Sequence, residues 1–217
     1  MSHSLYEVEA LARRAARGAG LSWGLAEEAG RSTRWLAAAG LPGPEALADW
    51  LSRSEGLPHD LLCPADVGAT WTARGGTLCP LIAGAALSDM AAELAARGGV
   101  TLGPTGAPLL MLPFVAAAAR AGGAALAVEW AGLSAHFGER VSLRATDAGL
   151  HAAQATGIRV ARRVHPPGGA CAVRPGSRGH IPPRAAETLD AFAHRTYAPA
   201  TPESRLGGAG AGLTDND

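Results

Sequence analysis

The chain has 217 residues, 47% of them apolar, and its 19 acidic side chains balance 19 basic ones. That balance argues against a general nucleic-acid binder, which carries a basic excess. Apart from histidine every basic residue is arginine. Schiff-base catalysis, pyridoxal-phosphate attachment and a P-loop all need lysine and are excluded within this chain.

Three helices are predicted over residues 1–56. Ser4-Leu5-Tyr6-Glu7 reads as a capping box, with Leu5, Val8, Leu11, Ala12 and Ala15 following at helical spacing until Gly18 and Gly20. Ser22 caps the second helix, Glu27 and Glu28 lie early in it, Leu25, Ala29 and Leu36 share a face, and Gly40 closes it. Pro44 opens the third, with Leu47, Trp50 and Leu51 buried, and Gly56 ends it. Residues 57–80 read as irregular, with a short strand around Val67–Thr72. A helix is predicted over Ala83–Arg97, stopped by Gly98-Gly99, and then a strand at Val100–Leu102. Pro108–Leu112, Phe114–Arg120 and Ala124–Trp130 read as strand, short helix and strand, a βαβ-like unit. Val141–Ala145, Ile158–Val164 and Ala170–Arg174 are further strands. Pro182-Pro183 opens a helix through His194, and Thr201-Pro202-Glu203-Ser204 reads as one more helical turn.

The fold expected is α/β or α+β, an N-terminal three-helix segment packed on a mixed sheet with flanking helices. Residues 1–206 read as one globular domain, divided into a helical lobe (1–56) and an α/β part (66–206). A glycine-rich, acidic tail follows (207–217). The opening helix is charged and amphipathic, unlike a signal peptide, and the apolar run Ala107–Ala119 holds two prolines and is too short to cross a bilayer. Cys63, Cys79 and Cys171 cannot all pair with one another and form no CxxC, so a cytoplasmic location is expected, with no membrane partner.

Three features bear on chemistry. No acid occurs between Asp147 and Glu187, a stretch holding Arg159, Arg162, Arg163, Arg174, Arg178, Arg184, His165 and His180. Guanidinium groups grip carboxylate or phosphate through paired hydrogen bonds, which makes an anion-binding surface one reading. The other is pairing with the acidic N-terminal helices, or simple solvation. The second feature is the C-terminus. Arg195, Tyr197, Ser204 and Arg205 precede a Gly/Ala run in which Gly210 and Gly212 can bring bare amides close to an anion, with Asp215 beyond. A solvated tail is the competing reading. The third is histidine. His136 follows the strand ending at Trp130, and His194 closes the last clear helix, so either is a candidate proton carrier. His59 and Cys63 lie four apart near Asp60 and Asp66, but Pro58 and Pro64 oppose a helix there, no second ligand pair follows, and no metal site is expected. No dinucleotide fingerprint, zinc-protease, nucleophile-elbow or kinase motif is present.

Ala15–Gly30, with its Arg17-Gly18-Ala19-Gly20-Leu21-Ser22-Trp23-Gly24 core, and Arg195–Thr201 continuing through Gly210–Asp217 resemble a bacterial family catalogued as a domain of unknown function. The resemblance spans nearly the whole chain and implies no activity and no catalytic residue. In layout alone, two capped helices, a Gly turn and a third helix are similar to the N-terminus of the non-Rossmann malate and lactate dehydrogenase family. That family carries Ser-His-Gly near its third helix. Here the stretch is Gly40-Leu41-Pro42-Gly43-Pro44-Glu45, without histidine, so no nicotinamide cofactor is transferred.

Two functions are therefore expected as alternatives. One is an enzyme or binding protein for a small anionic metabolite, held by arginines of the 159–205 region. The other is a non-catalytic subunit, in a homo-oligomer or with another chain, whose tail docks into its partner.

Overall fold

The computed structural model describes residues 2–197. A short strand, β1 (Ser2–Ser4), leads directly into α1 (Leu5–Gly18). The capping box forms as its sequence dictates: Ser4 Oγ accepts from the Glu7 amide and Glu7 Oε2 accepts from the Ser4 amide at 2.7 Å. α2 (Trp23–Ala38) starts on Ser22, and α3 (Gly43–Ser54) starts with Pro44 in its first turn. Val8, Ala12, Ala15, Ala29, Leu36, Leu47 and Leu51 are buried between these helices.

The segment after α3 departs from expectation. One helical turn, α4 (His59–Leu62), forms where two prolines argued against it, because Pro58 sits just before the turn and Pro64 beyond it. β2 is the two-residue strand Thr70–Trp71. The single helix predicted over Ala83–Arg97 is two, α5 (Pro80–Asp89) and α6 (Ala91–Arg97), broken at Met90. The break re-aims the chain so that Ala91 and Leu94 are buried. Strands β3 (Gly99–Leu102) and β4 (Thr105–Gly106) follow.

Pro108–Met111 is a 3₁₀ turn rather than a strand, entered through Ala107 at φ 34°, and it runs into α7 (Leu112–Ala121). All four residues of the turn are buried. An apolar run buried on every side has no period to separate strand from helix, which is why the pattern misled. The unit expected from Pro108 to Trp130 therefore lacks its first strand, and a different one, with β3 in that place, is present. β3 and β5 (Leu126–Trp130) both pair antiparallel to β9 (Ile158–Arg162), so they run the same way with β9 between them and α7 in the connection.

A two-residue turn, Ala131-Gly132, with Gly132 at φ 82°, closes a hairpin from β5 to β6 (Leu133–Phe137). His136, expected to follow a strand, thus lies inside one. Strand β7 (Val141–Ala145), the one-turn helix α8 (Asp147–Leu150) and β8 (Gln154–Ala155) come next, then β9, β10 (Cys171–Ala172), β11 (Arg178–His180) and α9 (Pro183–His194).

The main sheet has seven strands in the order β10-β7-β6-β5-β9-β3-β2, parallel only at β2–β3. β1 pairs with β11 and β4 with β8 in two small ribbons. Register sorts the sheet's faces. Val100, Val160, Val128, Ala135 and Leu143 line up across β3, β9, β5, β6 and β7 on one face. α7 packs against β5 and β6, while α2 and α5 pack on α7. On the other face the aligned positions are Thr101, Arg159, Glu129, Ser134 and Arg144. One hydrophobic cluster runs from Val8 to Phe192 and joins the helices to the sheet. The architecture is α+β. Among the described residues no helix is long and apolar enough to cross a membrane.

Candidate functional site

The arginines that the sequence grouped do not converge on one place. Arg159, Arg162 and Arg163 line a cleft of about 220 Å³ on the open face of the sheet, beside Glu129. Glu129 accepts from Ser134 Oγ at 3.0 Å and pairs with Arg163. Arg178 instead ties β11 to β1, donating to Ser2 Oγ and Ser2 O at 2.8 Å each. Arg184 lies in the cleft between α3 and α9 with Glu45 and Asp49.

His136 is not a loop residue. It lies within β6, is 5% exposed, and its Nε2 donates to the Arg163 carbonyl at 2.9 Å. Residues 163–170 leave β9 and return at β10 on the far side of β7, crossing the sheet's open face. Arg144 donates to Gly168 O at 3.0 Å and holds the far end of this strap. His136 is therefore one of the pins of the strap, and the structure does not bring it to Arg195 or Tyr197.

The end of α9 does gather residues. Gly18, the last residue of α1, lies against the Phe192 carbonyl: a Cβ there would overlap that oxygen and come within 2.7 Å of its carbon. This contact sets the C-terminal ends of α1 and α9 side by side. Arginines suit both ends, since the carbonyl ends of helices favour cations. Arg13, Arg14, Arg17, Gly18, Trp23, Glu27, Arg195 and Thr196 line the resulting cleft, of about 540 Å³. Arg14 Nη1 donates to Tyr197 Oη at 2.7 Å, and Arg17 donates to Leu21 O while its guanidinium lies 4.4 Å from the centre of the Trp23 ring. Arg195 pairs with Glu55 at the end of α3 and lies over Phe192. His194 meets Tyr197 edge-on, with ring centres 5.3 Å apart. Glu27 is bonded to Arg31 at 3.2 Å. Among the described residues, Arg13, Arg14 and Arg17 have no carboxylate partner.

The N-terminus of α2 opens into the same region. The Leu25 amide is taken by Ser22 Oγ and the Ala26 amide by Ser22 O, whereas the amides of Trp23 and Gly24 precede the first intrahelical acceptor. A helix N-terminus and a set of arginines thus present positive charge together. Arg13, Arg14 and Arg17 are not singled out by the sequence reading, which weighs the N-terminal helices only as a source of acids for the later arginines. The signal was available: Arg13-Arg14-x-x-Arg17 places two of the three one helical turn apart, five residues before a capped helix start. Ser204, Arg205, Gly210, Gly212 and Asp215, and the tail 207–217, lie outside the described residues.

His59 Nδ1 lies 3.2 Å from Cys63 Sγ, but that thiol also donates to its own turn at His59 O, and burial with Asp60 nearby raises its pKa. Among the described residues no group of three or more His, Cys, Asp or Glu side chains is placed to hold a metal ion.

Residues 3–79 match the model of a family described as a protein of unknown function, DUF3726. The matched span contains α1 to α4 and β2, and hence Arg13, Arg14, Arg17 and Trp23, but not Arg195. The likeness read at Ala15–Gly30 falls inside it, and the one read from Arg195 onward falls outside. No curated protein matches the chain.

Proposed function

We propose that this protein binds a small anionic metabolite, a phosphate or carboxylate, in the arginine cleft between the ends of α1 and α9. The observation that carries the reading is the set Arg13, Arg14 and Arg17, which lack carboxylate partners among the described residues and sit beside the α2 N-terminus. Guanidinium groups give an oxyanion paired hydrogen bonds, and first-turn amides add a positive dipole end. The cleft volume is in the range of small-ligand sites. Arg195 and Tyr197, marked from sequence as ligand-binding residues, stand at its edge. If the ligand is a substrate, proton transfer falls to His194, which meets the Tyr197 ring edge-on.

Thermal shift tests the reading. Pyrophosphate at about 100 times its Kd stabilises the native state by about 2.7 kcal/mol, a rise of about 5–10 °C for a domain of this size. The shift shrinks in high salt and disappears in Arg14→Gln/Arg17→Gln. No shift with pyrophosphate, inorganic phosphate or citrate, or an equal shift in the double variant, ends the proposal.

A further inference from the structure

The arginine cleft carries an aromatic surface that anion binding alone does not use. Trp23 is 70% exposed, the first residue of α2, and one side of its ring is covered by the Arg17 guanidinium at 4.4 Å. Tyr197, 54% exposed, is held to Arg14 by its hydroxyl on the same side of the molecule. With one side of the Trp23 ring against a guanidinium and most of its area still exposed, the indole has a face free for a stacking partner. The guanidinium over the ring is itself anchored, because Arg17 Nη1 donates to Leu21 O. The arrangement is a flat ring with a guanidinium against one face and the other face open.

We infer that the ligand of this cleft joins a flat aromatic ring to a phosphate, as a nucleoside phosphate does. The ring lies on the open face of Trp23, and the phosphate is taken by Arg13, Arg14 and Arg17. This inference rests on the anion reading above and narrows it. Phosphate is favoured over carboxylate because several guanidiniums converge with the α2 N-terminus, more positive charge than one carboxylate calls for. Stacking supplies the ring selectivity, since every base offers a π face to an aromatic side chain.

The test is isothermal titration of three probes: AMP, ribose 5-phosphate and adenosine. AMP and ribose 5-phosphate carry the same anion and differ in the ring, whereas adenosine has the ring without the anion. AMP is expected to bind roughly five- to a hundredfold more tightly than ribose 5-phosphate, the span that one stacked base contributes. Trp23→Ala removes that advantage, so that the variant binds AMP no more tightly than ribose 5-phosphate, while Trp23→Phe restores most of it. Trp23 is outside the buried core, so both variants fold, and an unchanged melting temperature verifies it. Equal affinity for AMP and ribose 5-phosphate overturns the ring assignment and leaves the anion site standing. An AMP preference that survives Trp23→Ala also overturns it, whereas adenosine binding as tightly as AMP overturns the phosphate half of the inference. Binding of neither phosphate removes the anion site itself, and this inference with it.

Discussion

Replacing Gly18 by alanine tests the contact that builds the cleft. Helix propensity alone predicts a gain of up to about 1 kcal/mol for this change inside a helix. The structure predicts the opposite sign. The new methyl group would overlap the Phe192 carbonyl oxygen and sit 2.7 Å from its carbon, and both are backbone atoms that cannot rotate away. Overpacking of this kind costs about 1–3 kcal/mol, and a rigid opposing atom puts it near the top of that range. The net loss is about 2 kcal/mol, a fall in Tm of about 4–8 °C for a chain of this size. Gly24→Ala is the matched control, because nothing lies within 4 Å of a Cβ built there; it leaves Tm unchanged or slightly raised. Differential scanning calorimetry of both variants decides the matter. If Gly18→Ala melts at or above wild type, α1 and α9 do not meet as described. Because Arg195 and Thr196 follow Phe192, pyrophosphate binding weakens in Gly18→Ala as well.

Further expectations concern the cap, a buried indole and the thiols. Hydrogen bonds from Ser4 hold the Glu7 carboxyl below its ordinary value of 4.5. The stability this group contributes is therefore complete above that pH and lost as pH falls through the lower folded value. Urea midpoints of wild type and Glu7→Gln should converge on acidification, and a gap that stays constant to low pH contradicts the cap. Trp130 Nε1 donates to Gly149 O at 3.0 Å in the core; Trp130→Phe orphans that carbonyl and costs about 1–3 kcal/mol in chemical denaturation, so an unchanged midpoint would refute the bond. Burial pushes the Cys79 thiol up to about 11, while Cys171 is exposed. Mass spectrometry after brief alkylation at pH 8 should find Cys171 labelled and Cys79 untouched until the chain unfolds; comparable rates would refute the burial of Cys79.

Local signals were the legible part of this sequence. The capping box at Ser4, the Ser22 cap and the Pro44 start each depend on a few adjacent residues, and each helix formed where those residues placed it. Strands β3, β5, β7 and β9 were likewise recovered from short apolar or alternating runs. Strand β6 was not, because all five of its residues are buried, including Ser134 and His136, which break the apolar pattern. Those two face the side of the sheet covered by residues 163–170, and nothing near them in sequence announces that cover. The same holds for the cleft. Arg195 and Tyr197 were marked, but their neighbours Arg14 and Arg17 are some 180 positions away, as the 183-residue separation of Arg14 from Tyr197 illustrates. Only tertiary packing brings them together.

The pairing of β1 with β11 has a kinetic consequence. Residues 2–4 find their partners at 178–180, and α1 packs along a helix that begins at Pro183, with Gly18 against Phe192. Closing so wide a loop requires large ordering before any contact rewards it, so this step belongs late in assembly. During synthesis the earliest helix must wait, one greasy flank uncovered, until nearly two hundred residues have emerged. A truncated product lacking α9 would keep that flank bare and stick to its own kind.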